Sequence, residues 1–410
     1  MGDRAVADRA EAVALDAGDP LAAFHERFTV ADDGLIYLDG NSLGRLPRET
    51  PARMAEVVEE QWGTRLIRGW NEGWVELPTT LGDRLGEGLL GADAGQVAVA
   101  DSTSVCFYKL AAAALNARPD QTEIITDVDN FPTDRYVLES LAVDRGLTIR
   151  WIEADPHAGP DPGQVADAIT GETALVTFSH VAYRSAFVLD VPAITEIAHD
   201  AGALTLLDLS HSAGAVPVTL DADGVDLAVG CTYKYLNGGP GSPAFLYVRR
   251  DHQTDLHQPI WGWLGRRDPF EMAAGYVPAA GIARMLSGTP PVLALTAAAV
   301  GIELTVEAGI AAIREKSIAL TEYAIGLIDA WLAPLGAGVG SPRDPARRGS
   351  HVALIHPEAR TLTERLIEAG VIVDFRTPDV IRFGLSPLTT RFTDVYDGLE
   401  RLRELLGQVS

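Results

Sequence analysis

Between residues 95 and 250 the chain alternates short, nearly unbroken apolar runs with segments whose apolar positions recur at helical spacing. The runs "EIITDV" (123–128), "LTIRWIEA" (147–154), "TALVTFSH" (173–180), "GALTLLDL" (202–209), "VDLAVGC" (225–231) and "PAFLYV" (243–248) predict strands. A strand covered on both faces is apolar along its whole length, whereas one with a wet face alternates; these runs are of the first kind. The segment "PAITEIAHDAG" (192–202) has helical spacing and stops at a glycine. Strands alternating with helices predict βαβ units and a mostly parallel sheet, of seven-stranded type, in an α/β fold.

After Pro291 the pattern changes. Residues 292–335, rich in Ala, Leu, Ile and Glu, predict a helix, a break near Gly309 and a second long helix. "TERLIEAGV", "VIVDF", "DVIRFGLS" and "TDVYDGLERLRELLG" then predict a compact α/β tail. This divides the chain into a large domain over 50–300 and a small C-terminal domain over 301–410. The N-terminal arm, 1–49, is expected to pack against the small one.

Composition narrows the function. The chain has 410 residues and a formal charge of −24, which repels nucleic-acid backbones and anionic lipid. No run of eighteen apolar residues occurs, so no membrane span is expected. Two cysteines, Cys106 and Cys231, make neither a disulfide framework nor a zinc pattern, and no metal site is expected. They suit a reducing cytoplasm. The acidic N-terminus is no secretory signal, and Val6 stands where a myristoylation motif needs Ser or Thr.

Candidate chemistry comes from strand ends, because open α/β sheets bind ligands beyond the carboxyl ends of their strands. Thr103 and Ser104, in "ADSTSV", open a helix and would offer an anion site or ordinary capping. Phe131 beside Pro132 gives an aromatic face on a stiff turn, with Asp134 three residues on. Asp208 and His211 follow the 202–209 run, and a carboxylate desolvated there needs a cationic partner. Lys234 lies at the next strand end, in "GCTYKYLNGGPGSPAF". An anion cup, a ring-stacking face, a counter-charge for a pyridinium and a Schiff-base amine are what pyridoxal 5'-phosphate requires.

In eight segments the sequence resembles kynureninase, a fold-type I pyridoxal-phosphate family of the class V aminotransferase group. These are "YLDGNSLGRLP" (37–47), "DSTSV" (101–105), "NFPTD" (130–134), "DLSHSAGAVP" (208–217), "YKYLNGGPGSPAF" (233–245), "GWLG" (262–265), "SGTPP" (287–291) and "IRFGLSPL" (381–388). The resemblance implies that Lys234 binds the cofactor covalently and takes the Cα proton, and that Phe131 stacks on the pyridine ring. Asp134 and Asp208 would face its nitrogen, His211 would lie near the ring, and Thr103, Ser104 and Tyr233 would hold the phosphate. Tyr233 would also be the general acid/base. Trp263 and Thr289 would reach across a homodimer to the partner's cofactor. Arg382 would clamp the substrate α-carboxylate, and Trp70, Asn41 and Gly288 would complete the substrate pocket.

The implied reaction is hydrolytic cleavage of L-kynurenine, or its 3-hydroxy form, at Cβ–Cγ to an anthranilate and L-alanine. The rivals are an aminotransferase, a cysteine desulfurase-like lyase and a non-catalytic relative. A desulfurase normally carries a loop cysteine late in the chain, and none follows Cys231 here. Retention of Lys234 and Arg382 argues against a non-catalytic protein. The chain departs from the family where "HVAYRSA" replaces "HVNYRTG", at Ala182, Ser185 and Ala186, and where Cys106 replaces a common Asn. Tryptophan catabolism, NAD supply and secondary metabolism all stay open as its pathway.

Overall fold

The computed structural model describes residues 8–30 and 34–408; the reading of the Met-Gly start lies outside the described residues. The strands in chain order are β1 (Ile36–Tyr37), β2 (Val97–Ala100), β3 (Glu123–Asp127), β4 (Thr148–Ile152), β5 (Thr173–Ser179), β6 (Leu204–Asp208), β7 (Leu227–Cys231), β8 (Ala244–Val248), β9 (Gly338–Val339), β10 (His351–Ile355), β11 (Val371–Ile372), β12 (Asp374–Arg376) and β13 (Val380–Gly384). A seven-stranded sheet runs in the order β2-β8-β7-β6-β5-β3-β4. Only β8 is antiparallel to its neighbours. The six predicted runs are all strands, trimmed by one to three residues, because their ends turn out of the ladder into the connecting loops. Strand β2 escaped prediction: at four residues it is too short to show a pattern, although every one is buried.

Buried apolar side chains fill both faces of this sheet, in one cluster around Phe178, Leu207 and Phe245 and another around Phe107, Leu206 and Leu246. That explains the unbroken apolar runs, except at edge strand β4, where Thr148, Arg150 and Trp151 are exposed and only Ile152 is buried. The carboxyl ends of β2, β3, β5, β6 and β7 therefore lie along one edge.

A separate core surrounds the sheet β12-β13-β10-β9. The helix Arg9–Ala17 lies against the last helix, Phe392–Gly407, where Asp16 accepts from the Phe392 and Thr393 amides at 2.6 and 3.2 Å. Strand β1 pairs in parallel with β11. Helices Val292–Ala308 and Ile310–Leu327 meet at Gly309, whose φ of 78° only glycine adopts freely.

The continuous helical stretch Ile310–Leu335 is long and apolar enough, by length and composition, to cross a bilayer. The unbroken-run reading did not single it out, since Arg314, Glu315, Lys316, Glu322 and Asp329 interrupt it. Its Leu320, Ala324, Ile325, Leu327, Ile328 and Trp331 are buried in the second core, as in the central helix of a globular domain.

Candidate active site

Asp208 closes β6, where its Oδ1 accepts the Ser210 amide at 2.7 Å. Asp134, in the helix Pro132–Arg145, is 2% exposed and faces Asp208. Burial, and then the charge of Asp208, raise the Asp134 carboxyl well above the usual range, with Lys234 opposing. Asp134 Oδ2 is buried without a hydrogen-bond partner. Among the described residues, neither carboxylate has an ion-pair partner within 4.0 Å. Two buried carboxyls that face each other, with Lys234 beyond ion-pair distance, leave a place that suits a further cation. A protonated pyridine nitrogen is such a cation.

Lys234 follows β7. It is 8% exposed, its Nζ lies 3.4 Å from His211 Nε2, and it stands 5.8 Å from the Phe131 ring centroid and 5.9 Å from that of Tyr233. Burial and then Lys234 hold the His211 imidazole well below its usual value, so it is neutral at pH 7. Phe131 meets Tyr183 edge-to-face at 5.4 Å. The Gly44 amide donates to the Tyr233 carbonyl at 2.8 Å, an approach that a Cβ would block by striking the Lys234 carbonyl.

At the end of β2, Asp101 takes a left-handed φ of 51° and pairs at 2.6 Å with the fully buried Lys109, which also donates to the Met285 carbonyl. The helix Thr103–Ala117 starts there. Its cap Ser102 spends its hydroxyl on the Val105 amide, leaving Thr103 half-buried and Ser104 exposed at the N-terminus. The Tyr233 phenol is held well above its usual value by burial and by Cys231.

Arg382 lies on β13, buried to 1%. Its Nε donates to Asp374 Oδ1 at 2.7 Å, its Nη2 to Asp374 Oδ2 and to Ser42 Oγ, and its Nη1 to the Tyr183 carbonyl at 2.6 Å. Asn41, fully buried with both amide atoms unpaired, abuts Gly384 of the same strand. His351, at the start of β10, lies between this group and His211: its ring is 5.7 Å from the His211 ring, and neither of its nitrogens has a hydrogen-bond partner among the described residues.

Comparison with known proteins gives the family. A model of the family "Kynureninase C-terminal domain" matches residues 313–402. A kynureninase of Burkholderia pseudomallei (strain 1106a) is 44% identical over 405 residues, covering 97% of this chain and 95% of that protein. One of Pseudomonas fluorescens is 43% identical over 407 residues, covering 98% and 96%. The chain belongs to the kynureninase family. It is a pyridoxal-phosphate-dependent hydrolase of that family. Solved structures share the fold. The cysteine desulfurase CsdA from Escherichia coli aligns with a TM-score of 0.80 at 17% identity, over 95% of this chain and 98% of that one. An apo cysteine desulfurase from Thermococcus onnurineus NA1 aligns at 0.78 and 20%, over 91% and 95%.

Of the residues that the kynureninase resemblance singled out, Lys234, Tyr233, His211, Phe131, Asp134 and Asp208 gather at one sheet edge. Trp70 and Thr289 gather elsewhere, in an apolar groove of about 470 Å³ lined also by Trp62, Trp74, Pro290 and Leu293. Trp263 meets Trp70 edge-on at 5.9 Å, and Gly288 is exposed beside Thr289. Among the described residues no hydrogen bond, ion pair or ring contact links Trp70, Trp263 or Thr289 to Lys234. Sequence reasoning missed Asp374, Ser42 and His351.

The departures from the family pattern have structural consequences. Ala186 takes a φ of 66°, where the family's glycine would be unstrained. Ser185 accepts the Phe187 amide at 3.3 Å. Cys106 is buried against the Ala100 carbonyl at 3.3 Å, with burial pushing its thiol up.

Proposed function

We propose that this chain hydrolyses the Cβ–Cγ bond of L-kynurenine, releasing anthranilate and L-alanine. The observation that carries this reading is 44% identity to a kynureninase over 97% of the chain. Bound pyridoxal phosphate supplies an electron sink for the α-carbon. Lys234 would hold it covalently, Phe131 would stack on it, Thr103, Ser104 and Tyr233 would take its phosphate, and Asp134 with Asp208 would keep its ring nitrogen protonated.

The chain's own groups account for the rest. Arg382 fixes the α-carboxylate, which orients the Cα–H towards the Lys234 amine. That amine, once displaced by substrate, removes the Cα proton. The neutral His211, with its Nε2 3.4 Å from Lys234 Nζ, can accept a hydrogen bond from that group and hold it in place beside the ring. Tyr233, its phenol held protonated, delivers and recovers protons during cleavage. In the net reaction the hydroxyl of water ends on the aryl carbonyl carbon and a hydrogen ends on the alanine methyl. Purified enzyme given L-kynurenine and no keto acid should form anthranilate and alanine in equal amounts. Transamination without anthranilate would refute the reading.

The proposal extends to the ring. The aryl pocket would be lined by Trp70, Gly288 and Thr289, and Trp70 presents mostly an apolar face, so a 3-hydroxyl placed against it would lose water without gaining a partner. That costs about 1–3 kcal/mol, so kcat/KM should favour L-kynurenine over its 3-hydroxy form roughly ten- to hundredfold.

It also extends to assembly, as a homodimer with shared sites and with the domain division 50–300 and 301–410. Trp62, Ile67, Trp261 and Met272 are exposed by 57, 73, 61 and 72%, an apolar surface around the Trp263 and Thr289 segments that suits a second copy. Mixing inactive Trp263→Ala with inactive Lys234→Ala subunits should restore activity through hybrid dimers. No rescue despite verified subunit exchange would count against shared sites.

A further inference from the structure

Arg382 has five N–H donors, and the structure shows how four are used. Asp374 takes Nε and Nη2 together, along one side of the guanidinium plane. The Tyr183 carbonyl takes one hydrogen of Nη1, and Ser42 Oγ accepts the other hydrogen of Nη2 at 3.1 Å. That leaves one N–H of Nη1 free and one N–H of Nη2 on a long bond to a hydroxyl. Asp374 and Arg382 are direct partners across antiparallel β12 and β13, so the register itself brings the side chains together. Ser42 is tied to the same carboxylate, donating to Asp374 Oδ2 at 3.1 Å.

Charge matters as much as geometry. An arginine fully neutralised by a buried aspartate would have little attraction for another carboxylate. Here Asp374 is shared with Arg376, whose Nη2 lies 2.7 Å from Oδ2. The trio of Arg376, Asp374 and Arg382 therefore carries one net positive charge, faced by the Asp39 carboxyl, which burial and then Asp374 push up to about 6.

We propose that Asp374 is a positioning residue that locks Arg382 side-on, so that the outer edge of its guanidinium receives the substrate carboxylate. Arg376 restores the positive charge that Asp374 would otherwise cancel, and Ser42 holds the place that the carboxylate takes. The inference rests on reading Arg382 as the carboxylate clamp. It gives the clamp a stated selectivity: an amino acid bearing one α-carboxylate, held by its planar edge.

The test uses holoenzyme variants and two readouts. L-Alanine binding is followed by calorimetric titration, and turnover is measured with L-kynurenine. A kynurenine analogue lacking the α-carboxylate serves as a competitive ligand for comparison. Asp374→Asn should weaken L-alanine binding about tenfold or more and raise KM for L-kynurenine similarly, with kcat within about threefold. Affinity for the carboxylate-free analogue should not change. Arg376→Gln should weaken L-alanine binding severalfold in the same pattern.

Unchanged alanine affinity in Asp374→Asn, or equal weakening of the carboxylate-free analogue, would overturn the proposal. Asp374→Glu, which keeps the charge, should recover part of the alanine affinity if the variant folds as wild type does. An Arg382→Lys variant separates the two layers. If it binds L-alanine like wild type, the clamp reading itself fails; if it alone is impaired, only the role of Asp374 fails.

Discussion

Two buried carboxylates lie at opposite edges of the same pair of strands, and their surroundings differ completely. Asp226, just before β7, is met by His199 Nε2 at 2.9 Å, His252 Nε2 at 2.7 Å, the Thr205 amide at 2.8 Å and the Thr205 hydroxyl at 3.0 Å. Burial alone would raise its carboxyl, yet the bonds from His252, Thr205 and His199 hold it below the usual range. Asp208, at the far end of β6, faces a second carboxyl, Asp134, which burial and that neighbour raise and whose Oδ2 has no partner. A satisfied buried charge holds a fold together; an unsatisfied one waits for a ligand. The edge with unmet polar groups is the one where Lys234 stands.

The sharpest way to break this comparison is Lys234→Ala. Turnover should fall roughly a thousandfold or more, and the visible absorption of a lysine-bound cofactor should disappear, while the fold melts close to the wild-type temperature. Persistence of that absorption would remove Lys234 from its role. At the opposite edge the expectation reverses. Asp226→Ala leaves buried donors unmet and should cost about 2–3 kcal/mol of stability, with kcat little changed. Because the folded state depresses the Asp226 carboxyl, its contribution is complete above the unfolded value near pH 4 and is lost as pH falls through the folded one. Wild type and variant should therefore converge in acid denaturation.

The smallest expected effect has the opposite sign. In cofactor-free enzyme, Asp134→Asn removes a raised carboxyl from beside Asp208 and should increase stability by about 1 kcal/mol at pH 8. A raised folded value means that the penalty is present at high pH and is relieved as pH falls. The gain should therefore vanish in acid.

That one edge would collect the chemistry was legible in the sequence. Asp208 and Lys234 end apolar runs that can only be buried strands, and parallel strands share their carboxyl edge. The break at Gly309 was legible for a similar local reason. The partners of Arg382 were not, since Asp374 reaches it through strand register and Ser42 from 340 residues away. Nor was the Asp226 cluster, whose histidines lie 26 and 27 residues distant at the edge where no ligand was sought. Short β2 carried no periodic signal, and the antiparallel direction of β8 cannot be read from its composition.

The most direct test compares melting temperatures with and without pyridoxal phosphate in wild type, Asp208→Asn and Asp226→Asn. If unmet charge marks the site, Asp208→Asn should lose most of the stabilisation that the cofactor confers while its cofactor-free form melts no lower than wild type. Asp226→Asn should melt lower in both states and keep the cofactor's full increment. An increment intact in Asp208→Asn, or lost in Asp226→Asn, would contradict the account.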